Sequence, residues 1–188
     1  ATEHISEMIE KAREFELSEE YITFLKEKYL ISDIKLKFQR YISLVSDLAN
    51  EQNKLINMTI GGDEIKVDVK KYTNFINSSI HLFRNMVDHG IETEDERIEK
   101  TKPRTGSIKI SFKKNENNFQ LILQDDGRGI DLVKLKSKAF EKGFIGQTEM
   151  SLEENLNLIF IPGLSTKEEV TDVSGRGIGM DVIKSEIN

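Results

Sequence analysis

Apolar residues in the first 53 positions recur with the period of an α-helix. They lie three and four positions apart in the runs 5–12, 21–25 and 41–49, and glycine and proline are absent from the whole region. This pattern predicts a helical segment over residues 1–53. A helix hairpin that covers the main domain and an element for dimerisation both agree with the pattern, which does not decide between them.

After residue 54 the pattern changes to short strands followed by a helix. The segments 55–61 and 65–69 have the composition of strands, and the residues 61–63 (Gly-Gly-Asp) supply a turn between them. Apolar residues then return to helical spacing, which predicts a helix from about 69 to 88.

A hairpin and two capped helices are predicted in the second half of the chain. Apolar and polar residues alternate at 108–112 and again at 119–124, which is typical of two antiparallel strands with one buried face. Asp131 is a suitable N-cap for a following helix. Ser151 and Glu154 have the spacing of a capping box at the start of another.

The order of these elements predicts an α+β fold. Strands, a helix, a hairpin and further helices are expected to form a two-layer sandwich, in which helices cover one face of a sheet. We therefore expect a helical segment over 1–53 and a larger domain over 54–188.

Composition excludes several classes of function. The formal net charge is −6, which argues against a nucleic-acid binder. Cysteine is absent, so disulfides, thiolate metal sites and cysteine nucleophiles are excluded. No apolar run approaches the ~18 residues of a membrane span, and the opening residues lack the pattern of a secretory signal. We expect a cytoplasmic protein without direct membrane insertion.

A polar stripe on the predicted helix 69–88 is the first candidate site. His81, Asn85, Asp88 and His89 have the spacing i, i+4, i+7 and i+8, so they share one helix face. A solvated face usually carries lysine and glutamate, whereas this one carries an amide, a carboxylate and imidazoles. An amide oxygen is a suitable ligand for Mg²⁺ that also keeps phosphate and water ligands.

The second candidate is the sequence Asp-Asp-Gly-Arg-Gly at 125–129, directly after a predicted strand. Asp-Gly pairs often occur in ordinary turns. A carboxylate at Asp125, however, can accept a hydrogen bond from the exocyclic amine of adenine, which guanine lacks at that position. The glycines Gly127 and Gly129 allow the backbone to approach a flat base closely.

Two loops near the end of the chain carry candidate phosphate ligands. Gly175, Gly177 and Gly179 open a predicted helix, and their exposed N–H groups and the helix dipole would together attract phosphate. This spacing is neither the Rossmann fingerprint nor a Walker motif. The loop around Ser165 and Lys167 offers hydroxyl and ammonium donors.

The order of these motifs resembles that of the GHKL superfamily of ATPases and kinases, which share the Bergerat ATP-binding fold. Within it, the segments 81–92, 125–131, 160–167 and 170–184 are most similar to the catalytic domain of the CheA family of chemotaxis histidine kinases. Four motifs in one order are far more specific than any single one. Members of this family continue beyond the glycine-rich segment, so we expect a C-terminally truncated Bergerat fold.

The resemblance implies the cofactors ATP and Mg²⁺ and a role for each matching residue. Asn85 would hold the metal, and His81 would lie near the γ-phosphate and assist its transfer. Asp125 would bind adenine. The other expected nucleotide-binding residues are Arg84, Asp88, His89, Gly127, Gly129, Lys134, Lys138, Ser165, Lys167, Gly175, Gly177 and Gly179.

The resemblance also implies the function and the partners. The γ-phosphoryl would pass to a histidine on a separate phosphotransfer domain and then to a response regulator. A CheW-like coupling protein and a homodimeric full-length protein are further expectations. Two alternatives stay open: a nucleotide-binding regulatory module without kinase activity, and an ATP-hydrolysing clamp. The clamp enzymes have a glutamate ahead of the asparagine, where this chain has His81.

Overall fold

A computed structural model of the chain describes residues 2–146, 150–161 and 164. The α-helices are α1 (Thr2–Glu14), α2 (Glu19–Tyr29), α3 (Lys35–Phe38), α4 (Arg40–Glu51), α5 (Thr73–Asn85), α6 (Glu94–Glu99), α7 (Leu132–Glu141) and α8 (Leu152–Asn157). The strands are β1 (Ile31–Asp33), β2 (Ile56–Gly62), β3 (Lys66–Asp68), β4 (Gly106–Lys114) and β5 (Phe119–Asp125). Short 3-10 helices cover Val69–Tyr72 and Leu158–Phe160, and a π-helical turn covers Met86–Gly90.

The main sheet has the strand order β2–β4–β5. β2 runs parallel to β4, with Met58 opposite Ile108, and β4 runs antiparallel to β5, with Ile110 opposite Leu123. The predicted hairpin is therefore confirmed. The two strands predicted at 55–61 and 65–69 both exist, but they do not pair with each other.

A second, two-stranded ladder joins β1 to β3 in antiparallel fashion. β1 is a short strand inside the segment for which we predicted only helix. The Asp33 carboxylate stabilises this arrangement because it accepts hydrogen bonds from the backbone N–H groups of Lys35 (3.1 Å) and Ile65 (3.3 Å). Three residues are too few for a strand period to stand out beside the helical runs on either side.

The core lies between the sheet and the helices α3, α4 and α5. Phe38 is fully buried, and its ring centroid lies 5.5 Å from that of Phe112 on β4. Tyr41 on α4 lies 4.6 Å from Phe83 on α5, measured between ring centroids. Alternate residues of β4 are buried, while those between them are exposed or partly exposed. The predicted α+β sandwich, preceded by helices, is confirmed.

The predicted helix caps after the hairpin are also confirmed. The Asp131 carboxylate accepts a hydrogen bond from the N–H of Lys134 (2.9 Å) at the start of α7. Ser151 and Glu154 form a complete capping box at the start of α8. Within the described ranges, no helix is both long enough and apolar enough to cross a membrane.

Candidate functional site

The polar stripe lies where α5 changes into the π-helical turn Met86–Gly90, called the π-turn below. Its wider ring is closed by a hydrogen bond from the N–H of Ile91 to the carbonyl oxygen of Met86 (2.7 Å). Such turns are uncommon and often occur at functional sites. The predicted helix to residue 88 is thus correct in position, but its last turn is wider than an α-helix.

Two side chains that follow α4 hold the π-turn. Gln52 Nε2 donates a hydrogen bond to Asp88 Oδ1 (2.6 Å), and Lys54 Nζ donates one to the carbonyl oxygen of Val87 (2.6 Å). Lys54 is buried, and this burial, together with the nearby charge of Arg128, lowers the pKa of its ammonium group. Neither residue belongs to a recognisable motif, so the sequence alone carries no signal for its role.

The end of the π-turn contacts the aspartate turn, which is the name used below for residues 125–129. A β-carbon on Gly127 would lie 2.2 Å from the carbonyl oxygen of Gly90, so only glycine fits there without movement. The same carbonyl oxygen accepts a hydrogen bond from the N–H of Arg128 (2.9 Å). Two motifs that are distant in sequence therefore share one backbone contact.

Asp125 stands at the end of β5, beside this contact. Its Oδ1 accepts a hydrogen bond from the N–H of Gly127 (2.9 Å), which fixes the direction of the carboxylate. A carboxylate has about four lone-pair sites, so one such bond leaves capacity for a ligand donor. A β-carbon on Gly90 would stand only 3.4 Å from Oδ1, so the π-turn forms one wall next to the carboxylate.

A group of paired charges surrounds one buried arginine next to the aspartate turn. The guanidinium of Arg97 is fully buried and contacts both Glu92 Oε2 (3.2 Å) and Asp126 Oδ2 (2.8 Å). Lys102 Nζ donates hydrogen bonds to Glu92 Oε1 (2.9 Å) and to the carbonyl oxygen of Gly127 (2.9 Å). No element was predicted between residues 88 and 108, although the Thr93/Glu96 capping box that starts α6 is a local signal for a helix.

Strong hydrogen bonding keeps Glu92 ionised. Burial by itself would raise the pKa of its carboxyl group, but hydrogen bonds from Lys102, from its own backbone N–H and from Lys100 lower it to about 2. The Asp126 carboxyl group is subject to the same two opposing effects. Burial raises its pKa, but hydrogen bonds from Ser107 and Arg97 lower it, and the net shift is downward.

The residues expected at the phosphate end lie on α5, the π-turn and α7. His81 is partly buried, and this burial, followed by the charge of Arg84, lowers the pKa of its imidazole. Asn85 and His89 are exposed, and Asp88 is partly buried beside Gln52. Lys134 and Lys138 lie one turn apart on α7.

Part of the expected phosphate site lies outside the described residues. These positions are Ser165, Lys167, Gly175, Gly177 and Gly179. Within the described ranges, no group of three or more histidine, aspartate or glutamate side chains could hold a metal ion by itself. An exposed Asn85 fits the alternative arrangement, in which Mg²⁺ uses one or two protein ligands together with nucleotide phosphates and water.

Comparison with known proteins defines the class of this domain. Residues 76–188 match the family described as histidine kinase-, DNA gyrase B-, and HSP90-like ATPase, and the chain belongs to that family. The family resemblance inferred from the motif order is thereby confirmed, and ATP binding follows from it.

Individual relatives are named as sensory and motility proteins. The chain is 42% identical over 153 residues to the sensor histidine kinase CheAY of Helicobacter pylori, with 80% of this chain and 19% of that protein covered. It is 38% identical over 151 residues to the chemotaxis protein CheA of Borreliella burgdorferi (80% and 18%). It is 35% identical over 153 residues to a gliding motility regulatory protein of Myxococcus xanthus (80% and 20%). The chain thus spans about a fifth of the length of these relatives.

Proposed function

We propose that this chain is the ATP-binding catalytic domain of a CheA-like histidine kinase. It would transfer the γ-phosphoryl of ATP to a histidine on a separate phosphotransfer domain, for relay to a response regulator. The observation that carries the proposal is the contact of Gly127 with Gly90, which places the Asp125 carboxylate beside the end of the polar stripe. The names of the relatives support the proposal that the domain belongs to a histidine kinase.

Asp125 would recognise adenine. Its carboxylate is already oriented by the Gly127 N–H and would accept a hydrogen bond from the exocyclic amine of the base. Gly127 and Gly129 would lie against the ring, because neither places a side chain in its way. Gly129 also adopts a φ of +73°, which glycine tolerates best.

The polar stripe would hold the metal and the triphosphate. Asn85 would provide an amide oxygen to Mg²⁺, which would neutralise the charge of the phosphates when it is bound. His81 would lie near the γ-phosphate, where its neutral imidazole can accept a hydrogen bond or a proton at one ring nitrogen. The other phosphate and ribose contacts would come from Arg84, Asp88, His89, Lys134, Lys138, Ser165, Lys167, Gly175, Gly177 and Gly179.

The separate roles of the ATP-binding domain and the phosphotransfer domain follow from the chemistry of phosphoryl transfer. Such a transfer requires positioning and charge neutralisation more than covalent participation of the enzyme. The acceptor imidazole would be delivered by the phosphotransfer domain. The proposed setting is a cytoplasmic, homodimeric kinase with a CheW-like coupling protein, a response regulator as the final acceptor, and no nucleic-acid or membrane ligand.

A labelling experiment tests the proposal. The full-length protein is incubated with γ-labelled ATP and Mg²⁺, with and without its phosphotransfer domain. We expect acid-labile label on a histidine of that domain, and we expect its loss in Asn85→Ala and in Mg²⁺-free buffer. Tight ATP binding without label would overturn the kinase proposal in favour of a regulatory nucleotide-binding module. Release of free phosphate in place of labelled histidine would favour an ATP-hydrolysing clamp.

A further inference from the structure

Among the described residues, Arg97 has the largest fully buried side chain, with 0% of its surface exposed. It lies on α6, at a sequence position outside the segments that carry the family resemblance. Burial of a charged group costs free energy that a hydrophobic replacement of similar size would avoid. Packing alone therefore does not explain why this position is an arginine.

The guanidinium bridges three segments of the chain. Nη1 and Nη2 donate to the two carboxylate oxygens of Asp126 (3.2 and 2.8 Å), which is a bidentate pair. Nη1 also donates to Glu92 Oε2 (3.2 Å), just after the π-turn. Nε donates to the carbonyl oxygen of Pro103 (2.6 Å), and Nη2 contacts that of Thr105 (3.4 Å), before β4.

Two of these contacts, the bidentate pair, are made with Asp126, which follows the proposed adenine-binding residue Asp125 in the chain. Asp126 is the direct neighbour of Asp125, and its Oδ1 also accepts the N–H of Ser107 on β4 (2.8 Å). With Asp126 held from two sides, the backbone of the aspartate turn has one orientation. The N–H of Gly127 then points at Asp125 Oδ1, and the N–H of Arg128 points at the carbonyl oxygen of Gly90.

We infer that Arg97 is a positioning residue for purine recognition: by binding Asp126 and Glu92 together, it fixes the distance between the aspartate turn and the π-turn, and so the direction of the Asp125 carboxylate. The inference rests on the proposed role of Asp125 in binding adenine. A lysine could not replace it, because a single ammonium group cannot make the bidentate pair with Asp126 and reach the two carbonyl groups as well.

The test compares nucleotide selectivity in the full-length protein. Dissociation constants for ATP and GTP are measured by calorimetry for the wild type, Arg97→Met, Arg97→Lys and Asp126→Asn. We expect each variant to lose about tenfold in ATP affinity, the loss typical of a misplaced charged hydrogen bond. GTP affinity should change little, so the ratio of the two constants should fall by a similar factor.

A second readout needs no nucleotide. Amide hydrogen exchange of Gly127 and Arg128 should accelerate in the variants more than exchange in the β4–β5 ladder, because only the turn loses its anchor. Arg104→Met is the matched control. It removes the same charge from the same connection, but Arg104 is 70% exposed and pairs only with Glu94 among the described residues.

The outcomes separate the inference from the proposed function. An unchanged ATP-to-GTP ratio in folded Arg97→Met, or uniform acceleration of exchange across the sheet, would overturn the inference and leave a purely structural role. If Arg97→Met fails to fold, the ATP-to-GTP ratio of Asp126→Asn tests the inference in its place. This variant is the milder one, because Asp126 is partly exposed and asparagine has the same shape as aspartate. A wild-type protein that does not prefer ATP to GTP would instead overturn the adenine role of Asp125, and the inference with it.

Discussion

Gly127 and Gly90 form a contact between backbones that admits no side chain. The position of a β-carbon on Gly127 lies 2.2 Å from the Gly90 carbonyl oxygen and 2.8 Å from Asp125 Oδ1. The π-turn and the aspartate turn are therefore in direct contact through the main chain. The closeness of this contact makes it sensitive to the smallest substitution.

We predict that Gly127→Ala separates the two turns. The added methyl group must displace backbone atoms, so we expect at least a tenfold loss of ATP affinity and a destabilisation of about 2 kcal/mol. Calorimetric titration and chemical denaturation measure the two effects. Gly61→Ala is the control, because a β-carbon there meets no atom within 4 Å. Equal affinities of the two variants would contradict the proposed position of the nucleotide.

The Asp125→Asn variant tests the adenine ligand directly. An amide in place of the carboxylate removes a charged acceptor, and we expect ATP binding to weaken by about 1–3 kcal/mol. Asp131→Asn is a matched control, since it removes the same charge while asparagine remains a good N-cap for α7. Unchanged affinity in Asp125→Asn would show that adenine binds elsewhere.

Glu92 should make stability dependent on acid. Its folded pKa of about 2 lies below its unfolded value of 4.5, so the unfolded state binds more protons between these two values. The free energy of unfolding is therefore expected to fall as the pH is lowered from 4.5 towards 2, by about 3 kcal/mol in total. Urea denaturation across this range measures the decrease.

The Glu92→Gln variant should lack that part of the pH dependence. It should also be less stable at neutral pH by about 3 kcal/mol, because Arg97 loses a buried partner. The control is Glu94→Gln, whose carboxylate pairs with the exposed Arg104. A wild-type and a Glu92→Gln protein with parallel pH profiles would contradict the assigned pKa.

His81 should set the acidic limit of phosphoryl transfer. Because burial and Arg84 lower the pKa of its imidazole below 6.5, the ring is neutral at pH 7 and becomes protonated only at lower pH. We expect the transfer rate of the wild type to fall at acidic pH, where this imidazole becomes protonated. His81→Gln should be slower by about tenfold or more and lack this acidic limb. His4→Gln is the control, since His4 is 91% exposed on α1. If the transfer rate of His81→Gln still falls at low pH, another group is responsible for that fall.

Local chemistry made part of the fold predictable. Asp131 and Ser151 were recognisable as caps because a helix start needs a side-chain acceptor within a few residues. The alternation along β4 and β5 identified the hairpin because both the pattern and the pairing are local. The helix that carries His81 and Asn85 was readable for the same reason, whereas the π-turn that carries Asp88 and His89 was not.

Long-range pairing was not predictable in the same way. β2 and β3 looked like partners across a turn, yet β2 pairs with β4 fifty residues away, Ile56 with Gly106. β3 pairs instead with β1, at Val67 and Ser32. Nothing in the period of a strand specifies its partner. Arg97 was missed because an arginine in a charged stretch is usually exposed, and only the fold shows that its charge is enclosed.

The bonds from Gln52 and Lys54 to the π-turn have a thermodynamic consequence. They connect the end of α4 to the turn that follows Asn85. If nucleotide binds at this turn as proposed, a displacement of α4 must change the affinity for nucleotide. Linkage is reciprocal, so bound nucleotide must bias the position of α4 by the same free energy. α4 and the proposed nucleotide site would then respond to each other in both directions.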